Sequence, residues 1–264
     1  MTDTKKPIIV PTLIQMKSRG EKIAMVTAYD YPSALLADAA GIDVVLVGDS
    51  LGREVLGYDN ELSVTLDDMI HHVRAVRRGV SHAMILVDMP FLTYQVNADD
   101  AVRNAGKLLQ AGANAVKIEG GNAIVPTVER LVSAGIPVMG HLGFQPQSVN
   151  VTGVRRQGTD DESAERLVAD ALALQSAGAF SVLLELVPSP VAKRVTESLA
   201  VPTIGIGAGP GCDGQVLVFG DLIGLRLDRP VFKHARRYAT VGEQIQTAFQ
   251  EYARDVREGR FPAR

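Results

Sequence analysis

The chain alternates between short apolar runs and longer amphipathic stretches. The apolar runs are rich in Val, Ile and Leu without polar alternation, which is typical of parallel strands buried on both faces. They predict eight strands, at residues 23–29, 43–48, 83–88, 114–118, 137–141, 180–186, 201–206 and 215–219. The stretches between and after them predict helices at residues 31–40, 66–79, 98–111, 122–134, 161–177, 190–199 and 241–258.

A repeated junction joins the predicted helices to the strands. AAGIDVV, QAGANAV, SAGIPVM and SAGAFSV each place a glycine just past a helix and directly before an apolar run. A βα unit used repeatedly indicates an α/β fold, and about eight strands predict a closed (β/α)₈ TIM barrel. An open doubly wound sheet is the alternative. The helix after GIGAGPGCDG is predicted to be short or missing.

The length and the flanking segments complete the predicted architecture. A chain of 264 residues with 46% hydrophobic content can bury the core of one barrel, so residues 1–264 are expected to form a single domain. The amphipathic segment PTLIQMKSR precedes the first strand and predicts a short N-terminal helix that caps the barrel bottom. The loops at residues 49–64 and 142–160 are candidates for a lid.

Charge and cysteine content exclude several classes of function. The chain carries 27 Lys and Arg against 30 Asp and Glu, and a net charge of −3 offers no broad positive field for nucleic acid or an anionic membrane. One cysteine, Cys212, cannot form an internal disulfide, which favours a reducing, cytoplasmic compartment. No apolar run is long enough for a signal peptide or a membrane span.

Three carboxylates at predicted strand ends form a candidate metal site. Asp49 in VLVGDS and Asp88 in ILVDMP offer hard oxygen ligands of the kind that Mg²⁺ prefers. Glu119 in KIEGG is placed to reach the same ion, directly or through water. Each carboxylate has a simpler alternative: the aspartates can cap the following helix or order the loop, and Glu119 can be a carboxylate favoured at a helix start.

Lys117, Glu185 and His141 complete the candidate chemistry. Lys117 lies two residues before Glu119, so both side chains face the same side of the strand, and its ammonium group can hold a carboxylate or a developing enolate. A buried Lys–Glu pair or a Schiff base is the alternative. Glu185 in LLELVP is expected to be desolvated by its apolar neighbours and to act as general base. His141 in GHLG binds substrate, relays a proton, or is structural.

The ordered motifs of the chain resemble the ketopantoate hydroxymethyltransferase family. The resemblance is carried by TAYDYPSA, VLVGDSLG, TLDDMIHHVRAVRRG, VDMPF, VKIEGG, GHLGFQPQSVN, LLELVP and GIGAG, and it covers nearly the whole chain. The stretch VTGVRRQG departs from the family pattern, as does Pro190 where a glutamate is common. Neither departure touches the metal or base candidates.

The resemblance implies a fold, a reaction and residue roles. It implies a (β/α)₈ barrel of the phosphoenolpyruvate/pyruvate type that transfers a hydroxymethyl group from 5,10-methylenetetrahydrofolate to 3-methyl-2-oxobutanoate (2-oxoisovalerate). The product would be 2-dehydropantoate (ketopantoate), for pantothenate and coenzyme A synthesis. Asp49 and Asp88 would ligate Mg²⁺ with Glu119 nearby, Ser50 and Lys117 would hold the substrate carboxylate, and Glu185 would take the proton. A homo-oligomer, such as a homodecamer, is expected.

Two rival functions use the same residues differently. A related barrel lyase would cleave a carbon–carbon bond of a 2-oxo acid through a metal-stabilised enolate, and many such lyases use a loop cysteine. Cys212 lies away from the loop that follows KIEGG, which disfavours that reading. A barrel that only binds a 2-oxo acid, or that acts as an assembly scaffold, leaves Glu185 without a purpose.

Overall fold

Eight parallel strands close into a barrel, and each strand pairs with its neighbour in chain order. The structure is a computed structural model that describes residues 6–229, 232–233 and 235–262. The strands are β1 Ile23–Thr27, β2 Val44–Val47, β3 Met84–Asp88, β4 Ala115–Glu119, β5 Val138–Gly143, β6 Ser181–Glu185, β7 Thr203–Ile206 and β8 Gly214–Leu217. The predicted barrel is confirmed, and its closure excludes the open sheet.

The helices follow the strands as the glycine junctions predict. They are α1 Val10–Ser18, α2 Tyr31–Ala39, α3 Leu66–Gly79, α4 Ala98–Ala111, α5 Val125–Ser133, α6 Val149–Thr152, α7 Asp161–Ser176, α8 Ser189–Ser198, α9 Phe219–Ile223 and α10 Val241–Arg257. The segment between β7 and β8 is fully described and contains no helix, as expected for the missing seventh helix. None of the described helices has the length and apolar character that crossing a bilayer requires.

Polar side chains determine where several helices begin. Asp30, Thr65, Asn97 and Asp160 accept a hydrogen bond from the backbone N–H three residues later, at the starts of α2, α3, α4 and α7. Such a cap satisfies a backbone donor that has no partner within the helix. The helix starts therefore follow from local sequence.

The first helix covers the amino-terminal ends of the strands. Leu13 and Met16 of α1 pack in one core cluster with Met25, Met84 and other strand residues. The ammonium group of Lys17 lies 2.9 Å from the carboxylate of Asp213, just before β8. The predicted capping helix is confirmed, and it leaves the opposite, carboxyl-terminal ends of the strands open for a site.

The chain divides into two compact units, Met1–Val216 and Leu217–Arg264. The first unit contains α1 to α8 and the barrel. In the second unit, the Gly242 N–H donates to the Gly224 carbonyl at 3.0 Å, where α10 begins. A side chain on Gly242 would lie 2.4 Å from the Leu225 carbonyl oxygen, so glycine allows this approach. A single domain over residues 1–264 stays a prediction.

Candidate active site

Charged side chains from the ends of five neighbouring strands, β2 to β6, meet at the carboxyl-terminal end of the barrel. The strand register places Asp88 beside Lys117, Glu119 beside His141, and Gly143 beside Glu185. Asp49 follows β2 by two residues. Asp49, Asp88, Lys117, Glu119 and His141 each expose 6% or less of their surface, so the group is desolvated. This is the end of the barrel at which enzymes of this fold carry their sites.

Lys117 is the cation at the centre of the group. Its Nζ lies 3.0 Å from Asp88 Oδ1 and 3.2 Å from His141 Nδ1. Burial opposes protonation of the lysine, but the charges of Asp88, Glu119 and Asp49 outweigh it and raise the pKa of Lys117. The lysine therefore stays an ammonium group. That charge state suits the binding of a carboxylate, whereas a lysine that forms a Schiff base must attack as the neutral amine.

His141 connects two carboxylates that lie on different strands. Its Nδ1 is 3.4 Å from Glu119 Oε1, and its Nε2 is 3.3 Å from Glu185 Oε2. Burial and Lys117 both oppose protonation, yet the contacts with Glu119 and Glu185 raise the pKa of His141 above its usual value. The sequence predicts that the fifth strand ends at His141, but β5 continues to Gly143, so His141 lies two residues before the end of the strand.

The surroundings of Glu185 differ from the expected apolar pocket. Its side chain is 19% exposed and contacts the ring of His141. His141 reaches Glu185 from the neighbouring strand, a contact that alternation along β6 alone does not reveal. Glu185 is therefore placed to exchange a proton at the mouth of the barrel, with an imidazole beside it.

Asp49 is a buried carboxylate that lies close to two others. Burial and the charges of Asp88 and Glu119 raise its pKa well above the usual range, although Lys117 and a hydrogen bond from Gln147 oppose the shift. The Asp49 N–H also donates to Asp88 Oδ2 at 3.1 Å. Asp49 and Asp88 thus lie next to each other, as the predicted shared site requires.

The donor set at this place fits a hard divalent cation. Three carboxylates, Asp49, Asp88 and Glu119, act on Lys117, and the repulsion on Asp49 is what a cation would relieve. Among the described residues, no three or more His, Cys, Asp or Glu side chains are arranged to hold a metal ion. Asp49, Asp88 and Glu119 are the oxygen donors that could hold such an ion.

Ser50 lies at the edge of the charged group. Its Oγ is 2.8 Å from the hydroxyl of Tyr29, and a side chain on Gly48 would come within 2.9 Å of the same Oγ. Burial raises the pKa of Tyr29, which keeps the phenol neutral. Ser50 and Tyr29 therefore offer hydroxyl groups next to Asp88, where a substrate carboxylate would need donors.

Gln147 and Tyr94 organise the site, and the sequence arguments missed both. Gln147 Nε2 donates to Asp49 Oδ2 at 2.8 Å and to the Met89 carbonyl at 2.9 Å, while its backbone N–H donates to Glu119 Oε2 at 3.0 Å. The Tyr94 hydroxyl accepts from the Glu119 N–H at 3.0 Å and donates to Gln147 Oε1 at 2.9 Å. Neither residue ends a strand, and a neutral amide in a loop carries no sequence signal of such a role.

A close backbone approach positions Glu185. Gly143 has a φ of 93°, and a side chain there would lie 2.2 Å from the Glu185 carbonyl oxygen. The Phe144 N–H donates to that same oxygen at 2.9 Å, and Leu186 has a φ of 51°. A leucine in the left-handed region is unusual, and such strain is concentrated at functional sites. The chain therefore turns sharply just after the candidate base.

Cys212 and one glycine of the GIGAG run lie in closely packed positions. Cys212 is buried and precedes β8, at the barrel end opposite the charged group. In the GIGAG run, a side chain on Gly209 would lie 2.3 Å from Ser189 Oγ, so this glycine allows α8 to begin close by.

The family to which the sequence points is matched over almost the full chain. A family model described as ketopantoate hydroxymethyltransferase matches residues 7–264. A 3-methyl-2-oxobutanoate hydroxymethyltransferase of Chloroflexus aurantiacus is 57% identical over 256 residues, covering 97% of this chain and 90% of that protein. The enzyme of the same name from Moorella thermoacetica is 55% identical over 257 residues, covering 97% and 95%.

Solved structures of more distant proteins share the fold. A phosphonopyruvate hydrolase in complex with oxalate and Mg²⁺ superposes with a TM-score of 0.64 at 15% identity, covering 95% of this chain and 87% of that chain. A 2,3-dimethylmalate lyase of the PEP mutase/isocitrate lyase superfamily gives 0.62 at 19% identity, covering 97% and 89%. These likenesses confirm the predicted type of barrel.

Proposed function

We propose that this chain, which belongs to the ketopantoate hydroxymethyltransferase family, transfers a hydroxymethyl group to 3-methyl-2-oxobutanoate and forms ketopantoate. The family match confirms the family that the sequence motifs predict. One observation carries the chemistry: the ion pair of Lys117 and Asp88 and the His141–Glu185 contact lie together at the strand ends. That arrangement joins a place for a 2-oxo acid to a place for a base.

Asp49 and Asp88 would hold Mg²⁺, with Glu119 reaching the ion directly or through water. Support comes from their oxygen donors, their burial and the repulsion that raises the pKa of Asp49. The phosphonopyruvate hydrolase that shares the fold was solved with Mg²⁺ and oxalate. When bound, such an ion polarises the carbonyl of a 2-oxo acid and stabilises the negative charge that develops on it.

Lys117 and Ser50 would hold the substrate carboxylate, and His141 would contact the substrate beside them. The ammonium group of Lys117 supplies positive charge in a desolvated pocket, where an ion pair is stronger than in water. Ser50, backed by the Tyr29 hydroxyl, supplies a donor in a fixed direction. These groups orient the 2-oxo acid so that its β-carbon faces Glu185.

Glu185 would remove the proton from the β-carbon and leave an enolate. The His141 ring lies 3.3 Å from the Glu185 carboxylate and orients it. The enolate carbon then forms a bond to the methylene carbon of the ring-opened iminium form of 5,10-methylenetetrahydrofolate. The bond from that methylene carbon to the folate nitrogen then breaks with the addition of water: the hydroxyl group goes to the methylene carbon and the proton to the nitrogen, which gives ketopantoate and tetrahydrofolate.

The assay for this function supplies 3-methyl-2-oxobutanoate, 5,10-methylenetetrahydrofolate and Mg²⁺ and detects ketopantoate. EDTA should abolish turnover and Mg²⁺ should restore it, because two protein carboxylates alone leave the substrate carbonyl without a cation. Full turnover in a verified metal-free sample would contradict the metal assignment. Cleavage of a 2-oxo acid without folate would instead support the lyase alternative.

The role of Glu185 can be measured apart from folate. In deuterated water with Mg²⁺, the protein should exchange the β-proton of 3-methyl-2-oxobutanoate, and Glu185→Gln should lose that exchange by roughly a hundredfold or more. The 2-oxo acid should still bind, because the amide keeps the size of the side chain. Glu129→Gln, an exposed change on α5, is the matched control. Unchanged exchange in Glu185→Gln would remove it from the base role.

The remaining expectations concern partners and location. Small-molecule substrates follow from the proposed reaction, and folate is the predicted donor. The homo-oligomer, with a homodecamer as the expected form, and the cytoplasmic location stay predictions. The absence of nucleic-acid and membrane partners rests on the charge balance of the sequence.

A further inference from the structure

Two of the motifs that carry the family resemblance meet in the structure. TAYDYPSA covers residues 27–34, and TLDDMIHHVRAVRRG covers residues 65–79, which form α3 and its cap. The Nδ1 atom of His72 on α3 lies 2.5 Å from the carbonyl oxygen of Tyr29. A carbonyl oxygen can only accept a hydrogen bond, so Nδ1 carries the hydrogen and is the donor. The second motif is thereby linked to a residue beside the site.

His72 takes a position on α3 that its neighbours give to apolar side chains. The buried face of the helix also contains Met69, Val73 and Val76. A buried imidazole needs a hydrogen-bond partner, which the Tyr29 carbonyl provides. A leucine would fill a similar space without that requirement, so the ring nitrogen, and not the volume, distinguishes His72 from these neighbours.

Tyr29 lies between the end of β1 and the start of α2, and side chains bond its main chain. The Tyr29 N–H donates to Ser33 Oγ at 3.4 Å, and the Tyr29 carbonyl accepts from His72. Gly79 lies seven residues after His72, two turns along the same face of α3. A side chain on Gly79 would come within 2.7 Å of the Tyr31 carbonyl oxygen, so α3 packs directly on the start of α2. The place of Tyr29 therefore depends on α3.

The position of Tyr29 determines the direction of the Ser50 hydroxyl. The Tyr29 hydroxyl lies 2.8 Å from Ser50 Oγ, and the Thr27 side chain bonds the same phenol. Burial raises the pKa of Tyr29, so the phenol keeps its proton and can serve as the donor to Ser50. A serine hydroxyl has one hydrogen, and a donor from Tyr29 leaves that hydrogen free for the substrate carboxylate.

We propose that His72 is a positioning residue for the 2-oxo acid, because its bond to the Tyr29 main chain fixes the phenol that donates to Ser50. This inference rests on the proposed function, in which Ser50 and Lys117 hold the substrate carboxylate. Replacing His72 should weaken binding of the 2-oxo acid, while Glu185 and the carboxylates of the site keep their surroundings.

The first test replaces the imidazole by an apolar side chain of similar size. In His72→Leu, the KM for 3-methyl-2-oxobutanoate should rise about fivefold, because a bond that orients the carboxylate donor is lost. The β-proton exchange rate at saturating substrate should fall less than about twofold, because Glu185 is unaffected. An unchanged KM would overturn the proposal.

His71→Leu is the matched control. His71 is exposed, and its ring packs edge-on against that of His72 with the centroids 5.4 Å apart. The control therefore removes an imidazole and its ring contact but leaves the bond from His72 to Tyr29 in place. It should leave the KM unchanged, and a rise equal to that of His72→Leu would overturn the proposal.

The place of the donor nitrogen gives a second comparison, which holds even when His72→Leu folds poorly. The amide nitrogen of His72→Asn lies one bond from Cγ, as Nδ1 does, whereas that of His72→Gln lies one bond further out. His72→Asn should keep a KM within about twofold of the wild type, and His72→Gln should resemble the leucine variant. Equal KM values for the two amides would overturn the proposal.

A double-mutant cycle with Ser50→Ala separates positioning from a general effect on the fold. When His72 acts through Ser50, His72→Leu raises the KM about fivefold in the wild-type background and less than about twofold in the Ser50→Ala background. Equal factors in both backgrounds would overturn the proposal, because the histidine would then act independently of the serine.

Binding without turnover distinguishes this proposal from the proposed function. Calorimetry with 3-methyl-2-oxobutanoate and Mg²⁺, in the absence of folate, should show weaker binding to His72→Leu than to His71→Leu and the wild type. That result supports the positioning role even when no ketopantoate forms. Equal binding to all three proteins overturns the positioning role alone, whereas a wild-type protein that binds no 2-oxo acid overturns the proposed function and this inference with it.

Discussion

Gln147 is the residue whose replacement tests the architecture of the site most directly. Gln147→Met keeps the approximate volume of the side chain and removes its four side-chain hydrogen bonds. Two of these run from Nε2 to Asp49 Oδ2 and the Met89 carbonyl. The other two are accepted by Oε1 from Tyr94 and Gln95, both at 2.9 Å. The backbone contact with Glu119 remains.

The expected loss of stability follows from these bonds. A hydrogen bond to a charged group contributes about 1.5–3 kcal/mol and a neutral one about 0.5–1.5 kcal/mol. Gln147 is 5% exposed, so water replaces the lost partners poorly. New contacts of the methionine offset part of the cost, and we expect the free energy of unfolding to fall by about 3 kcal/mol.

The effect of Gln147→Met on Mg²⁺ binding should be more specific to the site than its effect on the free energy of unfolding. Asp49 loses the side-chain donor that orients its carboxylate, and loss of such a partner typically weakens metal binding by about 10–100-fold. Urea unfolding measures the stability, and calorimetric titration with Mg²⁺ measures the affinity. Gln110→Met, an exposed change on α4, is the matched control and should alter neither quantity appreciably.

Two outcomes would refute this reasoning. A stability loss below about 1 kcal/mol would mean that the amide contributes little beyond its volume. An unchanged Mg²⁺ affinity in a folded Gln147→Met protein would mean that Asp49 is oriented by other groups or does not bind the ion. In either case Gln147 would not be a positioning residue.

Two further predictions concern the scaffold. Asp38→Asn should lower the free energy of unfolding by about 2 kcal/mol at neutral pH, because the Asp38 carboxylate accepts hydrogen bonds from the loop before β3. Partial burial opposes ionisation, but those bonds hold the pKa of Asp38 below its usual range. The stability difference between the wild type and Asp38→Asn should therefore shrink below about pH 4, where the carboxylate becomes protonated. Urea unfolding at several pH values measures this difference, and a difference that does not change with pH would contradict the prediction. Gly143→Ala should reduce β-proton exchange at least tenfold, since its methyl group would displace the Glu185 carbonyl. Gly20→Ala is the control, because Gly20 also has a positive φ but has open space around it. Equal exchange rates in the two variants would mean that the close approach of Gly143 to Glu185 does not position the base.

The architecture was readable from the sequence because each βα unit carries its own signals. Apolar runs without alternation marked strands buried on both faces, and the helices at 66–79 and 98–111 have the predicted bounds. Errors lie at strand ends: β1 ends at Thr27 instead of residue 29, and β5 extends past His141 to Gly143. An apolar run shows which residues are buried, but the hydrogen bonds to neighbouring strands determine where a strand ends.

The site was only partly readable, for a different physical reason. The charged residues at strand ends are conspicuous because burying a charge is costly, and the structure brings Asp49, Asp88, Lys117 and Glu119 together. The contact between His141 and Glu185 depends on the register of β5 against β6, which no local pattern contains. A neutral residue such as Gln147 gains its importance entirely from three-dimensional contacts.

Strand β5 and the loop after it link the carboxylates of the site to the candidate base. The loop carries Gln147, whose amide and backbone N–H orient Asp49 and Glu119. The strand carries His141, whose ring contacts Glu119 on one side and Glu185 on the other. A change at Gln147 that shifts Glu119 should therefore also disturb His141 and the base beyond it. Comparing Gln147→Met with Gln110→Met in the exchange assay tests this link: exchange of the β-proton should fall in the first and persist in the second, and equal exchange would mean that Glu185 works independently of Gln147.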